Sequence, residues 1–151
     1  MTVHALQPPA STAAENVLVQ ALQQSGLSKH NLIHIAGPGA LPAMLWLCRR
    51  GYERAQHLCL HSPNCGIEPA DALLIPHLGH AGDLPAVLAA ARSVREGGVL
   101  IVRMGARGEP AEAIAALAGP FGYTLERHVM DKGHALYVAR RGLRSVALKV
   151  A

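Results

Sequence analysis

The sequence predicts an α/β domain: a doubly wound, mostly parallel sheet with helices on both faces, closed by an antiparallel hairpin near its C-terminal end. Three observations carry that expectation. Half of the 151 residues are apolar, yet the chain has one Trp, one Phe and three Tyr, so its core must be aliphatic. Its strand-like runs are short and continuously apolar, the pattern of strands buried on both faces of a parallel sheet. Those runs alternate with segments of helical period, the order that builds strand–helix–strand units.

The elements follow in order. Residues 1–10 form a lead in which Pro8-Pro9 blocks regular structure. Thr12 and Glu15 make a capping box, and Ala14, Val17, Leu18, Ala21 and Leu22 repeat at helical spacing, giving a helix over about 13–25 that Gly26 stops. Leu32-Ile33-His34-Ile35-Ala36 is a buried strand that ends in Gly37-Pro38-Gly39, and a helix follows over 41–50 with Leu41, Leu45 and Cys48 at helical spacing. A second strand runs from Ala55 to His61, with His57, Cys59 and His61 on one face and Leu58 and Leu60 on the other. Asp71 to Pro76 is the third strand. Asp83 caps a helix whose inner face is Leu84, Val87, Leu88, Ala91 and Val94, and Gly97-Gly98 turns the chain into a fourth strand, Val99 to Met104. Pro110 opens a helix over 110–118. Runs at 123–129 and 134–140, joined by Asp131-Lys132-Gly133, form the hairpin. The predicted organisation is a flexible lead (1–10), one domain (11–141), and a tail or extra edge strand (142–151).

This order resembles that of the class I S-adenosylmethionine (SAM) dependent methyltransferases, a Rossmann-like fold. Leu32 to Ala40 looks like the family's first motif, an apolar strand ending in a GxG turn. Asp71 to His80 resembles its fourth strand and following loop, Leu84 to Arg103 its helix, Gly-Gly turn and fifth strand, and Gly122 to Arg140 its closing hairpin. The resemblance covers about residues 30–140. It implies a SAM site on Gly37, Pro38 and Gly39, where glycines admit a close ligand and the following helix N-terminus favours a carboxylate. A tight turn that merely packs helix on strand is the other reading of the same residues. A dinucleotide fingerprint would need glycine where Pro42 stands.

The chain also departs from the family pattern. The family places an acid at the end of its second strand to hold the ribose hydroxyls; here His61 and Ser62 stand there, each able to make one such bond but not a bidentate carboxylate contact. Where the first strand commonly carries an acid before the turn, this chain has His34. Nine residues, 62–70, separate the second strand from the DALLIP strand, too few for the helix and strand that family members run there. The sheet is therefore expected to be shortened between the family's second and fourth strands. On the acceptor side, Ile75-Pro76-His77-Leu78 stands where amino-methyltransferases carry an Asn/Asp-Pro-Pro-aromatic motif; His77 is the candidate general base, a role His80 could share, and His77 is also a candidate cofactor contact.

Composition narrows the remaining classes. The net charge of +4 comes without a dense Lys/Arg stripe interleaved with aromatics, which argues against nucleic acid as the partner. No apolar run approaches the roughly 20 residues that cross a bilayer. Three cysteines without a secretory signal point to a reducing compartment, the cytoplasm. His57, Cys59, His61 and Cys65 are zinc-compatible types, but their strand-face spacing spreads over roughly 14 Å at about 3.4 Å per residue, so no metal is expected. Two functions compete: a protein that binds SAM or a related small ligand at the Gly37–Gly39 turn, and a degenerate, non-catalytic module that acts in assembly, with a homo-oligomer as its consequence. A different small-ligand site built from the histidines is the third.

Overall fold

The computed structural model describes residues 10–60, 68–79, 81–105, 110–131 and 133–143, with the side chains of residues 10–15, 81 and 131 left out. Residues 1–9 of the predicted lead, the 145–150 tail, His61, Ser62, Cys65 and His80 lie outside the described residues, and Ala10, placed in the lead, already belongs to the first helix.

Helices α1 (Ala10–Gln24), α2 (Ala40–Arg49), α3 (Leu84–Ala90) and α4 (Ala111–Ala118) cover strands β1 (Ile33–Ile35), β2 (Ala55–His57), β3 (Ala70–Leu78), β4 (Val94–Met104), β5 (Tyr123–Asp131) and β6 (His134–Arg141). The sheet order is β2-β1-β3-β4-β6-β5. The first four strands run parallel, and β6 pairs antiparallel with both β4 and β5. This is the predicted doubly wound architecture with its hairpin. Between β2 and β3 the described residues hold neither a helix nor a strand, as the short spacer requires.

Alternation along the strands divides the core into two layers. Ile33, Ile35, Leu74, Ile101, Leu136 and Val138 face α1 and α2, meeting Leu18, Leu22, Ala43 and Leu47. Leu73, Ile75, Leu100, Val102 and Tyr137 face α3 and α4, meeting Leu84, Leu88, Ile114 and Ala118. Leu58 and Leu60 cover the same second face beyond the end of β2. Leu22 and Leu47 are wholly buried, each contributing about 1.5–3 kcal/mol of transfer free energy. No described helix is long and apolar enough to cross a membrane.

Several expectations need correction. The first helix begins by Ala10, so Thr12 lies inside it and cannot be its N-cap. Strand β2 stops at His57 rather than His61, because its partner β1 offers three residues and the ladder runs out at Ile35–His57. On α2 the buried stripe is Ala40, Ala43 and Leu47, while Leu41, Leu45 and Cys48 face outward. Both stripes have helical spacing; the small side chains let the helix lie close on the sheet. Asp83 sits at the start of α3 but makes no side-chain cap bond, since a short 3-10 turn, Ala81–Asp83, already leads into the helix. Strand β4 starts at Val94, and Gly97-Gly98 forms a bulge within it: Ala70 pairs with Val94 but Ala72 with Val99.

That bulge is locked by Asp71, at the start of β3. One carboxylate oxygen accepts from the backbone N–H of Leu32 (2.8 Å) and from Asn31 Nδ2 (3.1 Å). The other meets Arg95 Nε at 2.6 Å. Gly98 is required beside it: a Cβ there would strike Val94 Cγ1 and lie 2.8 Å from the Asp71 carbonyl and 2.9 Å from that of Arg95.

Candidate ligand site at the strand ends

In a doubly wound sheet, ligands bind beyond the C-terminal ends of the strands, where the strand order reverses. Here the reversal lies between β1, which leads through α2 to β2 on one side, and β3, which leads through α3 to β4 on the other. The end of β1 is fixed by Ala36 N–H donating to the Leu74 carbonyl (3.1 Å). The chain then turns through Gly37 (φ 82°) and Gly39 (φ 78°), both left-handed, a conformation that costs an L-residue roughly 1–2 kcal/mol. Gly39 is the N-cap of α2, and no side chain caps that end. A Cβ on Gly37 would point inward, 3.6 Å from Ile75 Cγ2 and 3.7 Å from the His77 carbonyl, whereas a Cβ on Gly39 would meet nothing within 4 Å. The second glycine thus opens onto free space at a helix N-terminus, where the helix dipole favours an anionic group, although Ala40 N–H already donates to the Gly37 carbonyl, Ala43 N–H to the Gly39 carbonyl, and Pro42 has no N–H to offer.

Beside the turn is a cleft of about 280 Å³ lined by Gly37, Pro38, His57, Leu58, Cys59 and Leu60. Leu58 is buried and forms its floor; His57 and Cys59 are exposed. None of the described lining residues is a carboxylate. Of the predicted site residues, Gly37 and Pro38 therefore join in one cleft with the end of β2, and Gly39 borders α2. His77, half-buried at the end of β3, lies on the other side of Gly37: a Cβ on Gly105, just beyond β4, would be 3.5 Å from His77 Cε1. His77 thus bridges the ends of β3 and β4 rather than lining the cleft.

Among the described residues no group of three His, Cys, Asp or Glu side chains gathers to hold a metal. Cys48 and Cys59 form no disulfide. One histidine acquires a feature the sequence did not single out. His34, at the centre of β1 and paired with Leu73, is 1 % exposed, and its Nδ1 has no hydrogen-bond partner. Desolvation lowers its pKa below the ordinary 6.5, with the charge of Glu68 pulling the other way.

No family model matches the chain, and no curated protein matches it in sequence. Solved structures do match. One is a chain of the complex between the Haloferax volcanii Trm112 methyltransferase activator and a candidate methyltransferase, at TM-score 0.64 and 8% identity over 89% of this chain and 92% of that one. Another is a precorrin-6y C5,15-methyltransferase from Geobacter metallireducens, at TM-score 0.53 and 10% identity over 85% of this chain and 88% of that one. A third is the Haemonchus contortus phosphoethanolamine N-methyltransferase 2 in complex with SAM, at TM-score 0.56 and 13% identity, where 86% of this chain covers 37% of that one. Together with the strand order and the terminal hairpin, these likenesses show that the chain has the fold of the class I SAM-dependent methyltransferases, shortened between the second strand and the one that follows it.

Proposed function

We propose that the chain binds SAM, or a related ligand carrying a carboxylate and an adenosine, over the Gly37-Pro38-Gly39 turn. The observation that carries this reading is the pair of left-handed glycines at the point of strand reversal, the second opening to free space at the N-terminus of α2. In this arrangement the positive end of the α2 dipole receives the ligand carboxylate, the cleft beside Pro38 takes the nucleoside, and His57 and Cys59 offer polar contacts on its rim. His61 and Ser62 are proposed to meet the ribose hydroxyls in place of the family's acid. When bound, SAM supplies the transferable methyl group. His77, at the end of β3, is the proposed general base toward an acceptor entering over β3 and β4. Calorimetric titration with SAM and with S-adenosylhomocysteine tests the binding. Saturable heat is the expected result; no heat and no thermal shift at millimolar ligand would reject it.

A second reading is favoured by two observations. The described end of β2 carries no carboxylate, and α2 presents Leu41 (55 % exposed) and Leu45 (48 % exposed) to solvent one turn apart. On this reading the fold is a non-catalytic assembly module that forms a homodimer. Light scattering at high concentration decides it, a strictly monomeric mass being the outcome against it. Either role fits the cytoplasm, where thiols such as Cys48 and Cys59 stay reduced.

A further inference from the structure

The N-terminal ends of the strands, opposite the glycine turn, gather arginines. Strand β3 runs from Ala70 to Leu78, so the two ends of the sheet are separated by roughly 25 Å. Arg141, the last residue of β6, donates through Nη1 to the carbonyls of Arg92 (2.9 Å) and Val94, which pins its guanidinium across the turn between α3 and β4. Arg95 is held by Asp71 through Nε, its side chain still 61% exposed. The Arg92 guanidinium lies 5.3 Å from the centre of the Phe121 ring and makes no hydrogen bond within the described residues. The turn beneath them is itself braced, because the buried Tyr123 hydroxyl donates to the Ala91 carbonyl at 2.6 Å.

These three side chains line one groove of about 590 Å³, together with Pro69, Ser93 and Glu96. Each guanidinium carries five N–H donors, and the internal contacts occupy only part of that capacity. Arg141 and Arg95 are anchored through a single nitrogen each, and Arg92 is anchored through its ring face. The remaining donors are thus held in place without being consumed, a preorganised arrangement that lowers the entropic cost of gripping an oxyanion. The three guanidiniums face two carboxylates, Glu96 and the Asp71 already paired with Arg95, which leaves the described groove a modest excess of positive charge.

We propose that this groove is a second binding site, for a small molecule bearing a diphosphate or two neighbouring phosphates. Its volume is that of a small-ligand pocket. The arginines converge on one turn instead of forming a track along the surface, and among the described residues no aromatic side chain lines the groove to stack a base. Both features favour a compact polyphosphate over a nucleic-acid backbone. The site is independent of the glycine turn and stands or falls separately from it.

Inorganic pyrophosphate, titrated calorimetrically into the full chain at low salt, tests the assignment. Arg92→Gln is the informative variant, since Arg92 makes no hydrogen bond in the described fold and gives up only an exposed contact with Phe121, so the melting temperature should fall by no more than about 2–4 °C. The expected result is saturable one-site binding by the native chain, weakened roughly tenfold in Arg92→Gln, the loss of one charge-assisted contact. Arg49→Gln, on α2 across the sheet, should bind as the native chain does. Three results would overturn the proposal: no saturable pyrophosphate binding, equal binding by Arg92→Gln and the native chain, or binding of a short single-stranded RNA that pyrophosphate does not displace.

Discussion

Gly37 and Gly39 offer a matched pair of substitutions that separates folding from binding. Both have φ near 80°, so alanine at either position carries the same backbone penalty, roughly 1–2 kcal/mol. Alanine also restricts the unfolded chain, which returns about 0.4–1 kcal/mol. The net loss is about 1 kcal/mol in each case, or a melting temperature lower by roughly 2–4 °C for a chain of this size. The two methyl groups then point in different directions. In Gly37→Ala the methyl packs at ordinary contact distances against Ile75 and the His77 carbonyl, inside the protein. In Gly39→Ala it stands in the open space above the α2 N-terminus, where a ligand carboxylate must approach. Calorimetry with S-adenosylhomocysteine should show Gly39→Ala weakened at least about tenfold, near 1.4 kcal/mol, and Gly37→Ala changed much less. Equal melting losses with equal affinities would refute the placement of the ligand over Gly39.

Three further outcomes follow from buried groups. Asp71→Ala leaves the Leu32 N–H without its acceptor and Arg95 without its partner; because Arg95 is largely exposed, most of the cost comes from the orphaned amide, about 1–3 kcal/mol, and urea denaturation should show Asp71→Asn milder than Asp71→Ala. Gly98→Ala drives a methyl into Val94 and two carbonyls, an overpacking cost of about 1–3 kcal/mol that a thermal melt should register as a clear loss; a neutral result would contradict the bulge geometry. His34 is held neutral by burial, so below pH 6.5 the unfolded chain binds a proton that the folded chain does not. Stability is therefore lost as pH falls through that region, and His34→Gln should flatten the dependence of the urea midpoint on pH, while an unchanged slope would show that His34 is not the titrating group.

The order of elements was legible because continuous apolar runs and helical-period segments have different signatures, and the trimmed sheet was legible because nine residues cannot hold a helix and a strand. The face of α2 was not. Ala40, Ala43 and Leu47 (gaps of three and four) and Leu41, Leu45 and Cys48 (gaps of four and three) both have helical spacing on neighbouring faces, and periodicity alone favours the larger side chains. The extent of β2 was hidden for a different reason: its length is set by the three residues of β1, not by its own apolar content. In the candidate site, the glycine turn could be read from a local pattern. The role of Asp71, at the opposite end of the sheet, could not, since its partners Leu32 and Arg95 are distant in the chain. The arginine groove was equally invisible, because Arg92 and Arg141 meet only through the hairpin's pairing with β4.

Arg140 joins four segments. Its guanidinium donates to Glu126 on β5 (2.7 Å), to the Gly97 carbonyl in the β4 bulge (2.8 Å) and to the Ser25 carbonyl just after α1 (3.1 Å). Helix α1 also packs against Leu136 and Val138 of β6. Helix α1 therefore finds part of its docking surface in a strand made about a hundred residues after it; the Arg140–Ser25 contact spans 115 positions. Throughout synthesis the apolar stripe of Leu18 and Leu22 waits without its full cover, and contacts of such long sequence separation form late. Loss of the β5–β6 hairpin would thus be felt far away in sequence, as an unseated α1.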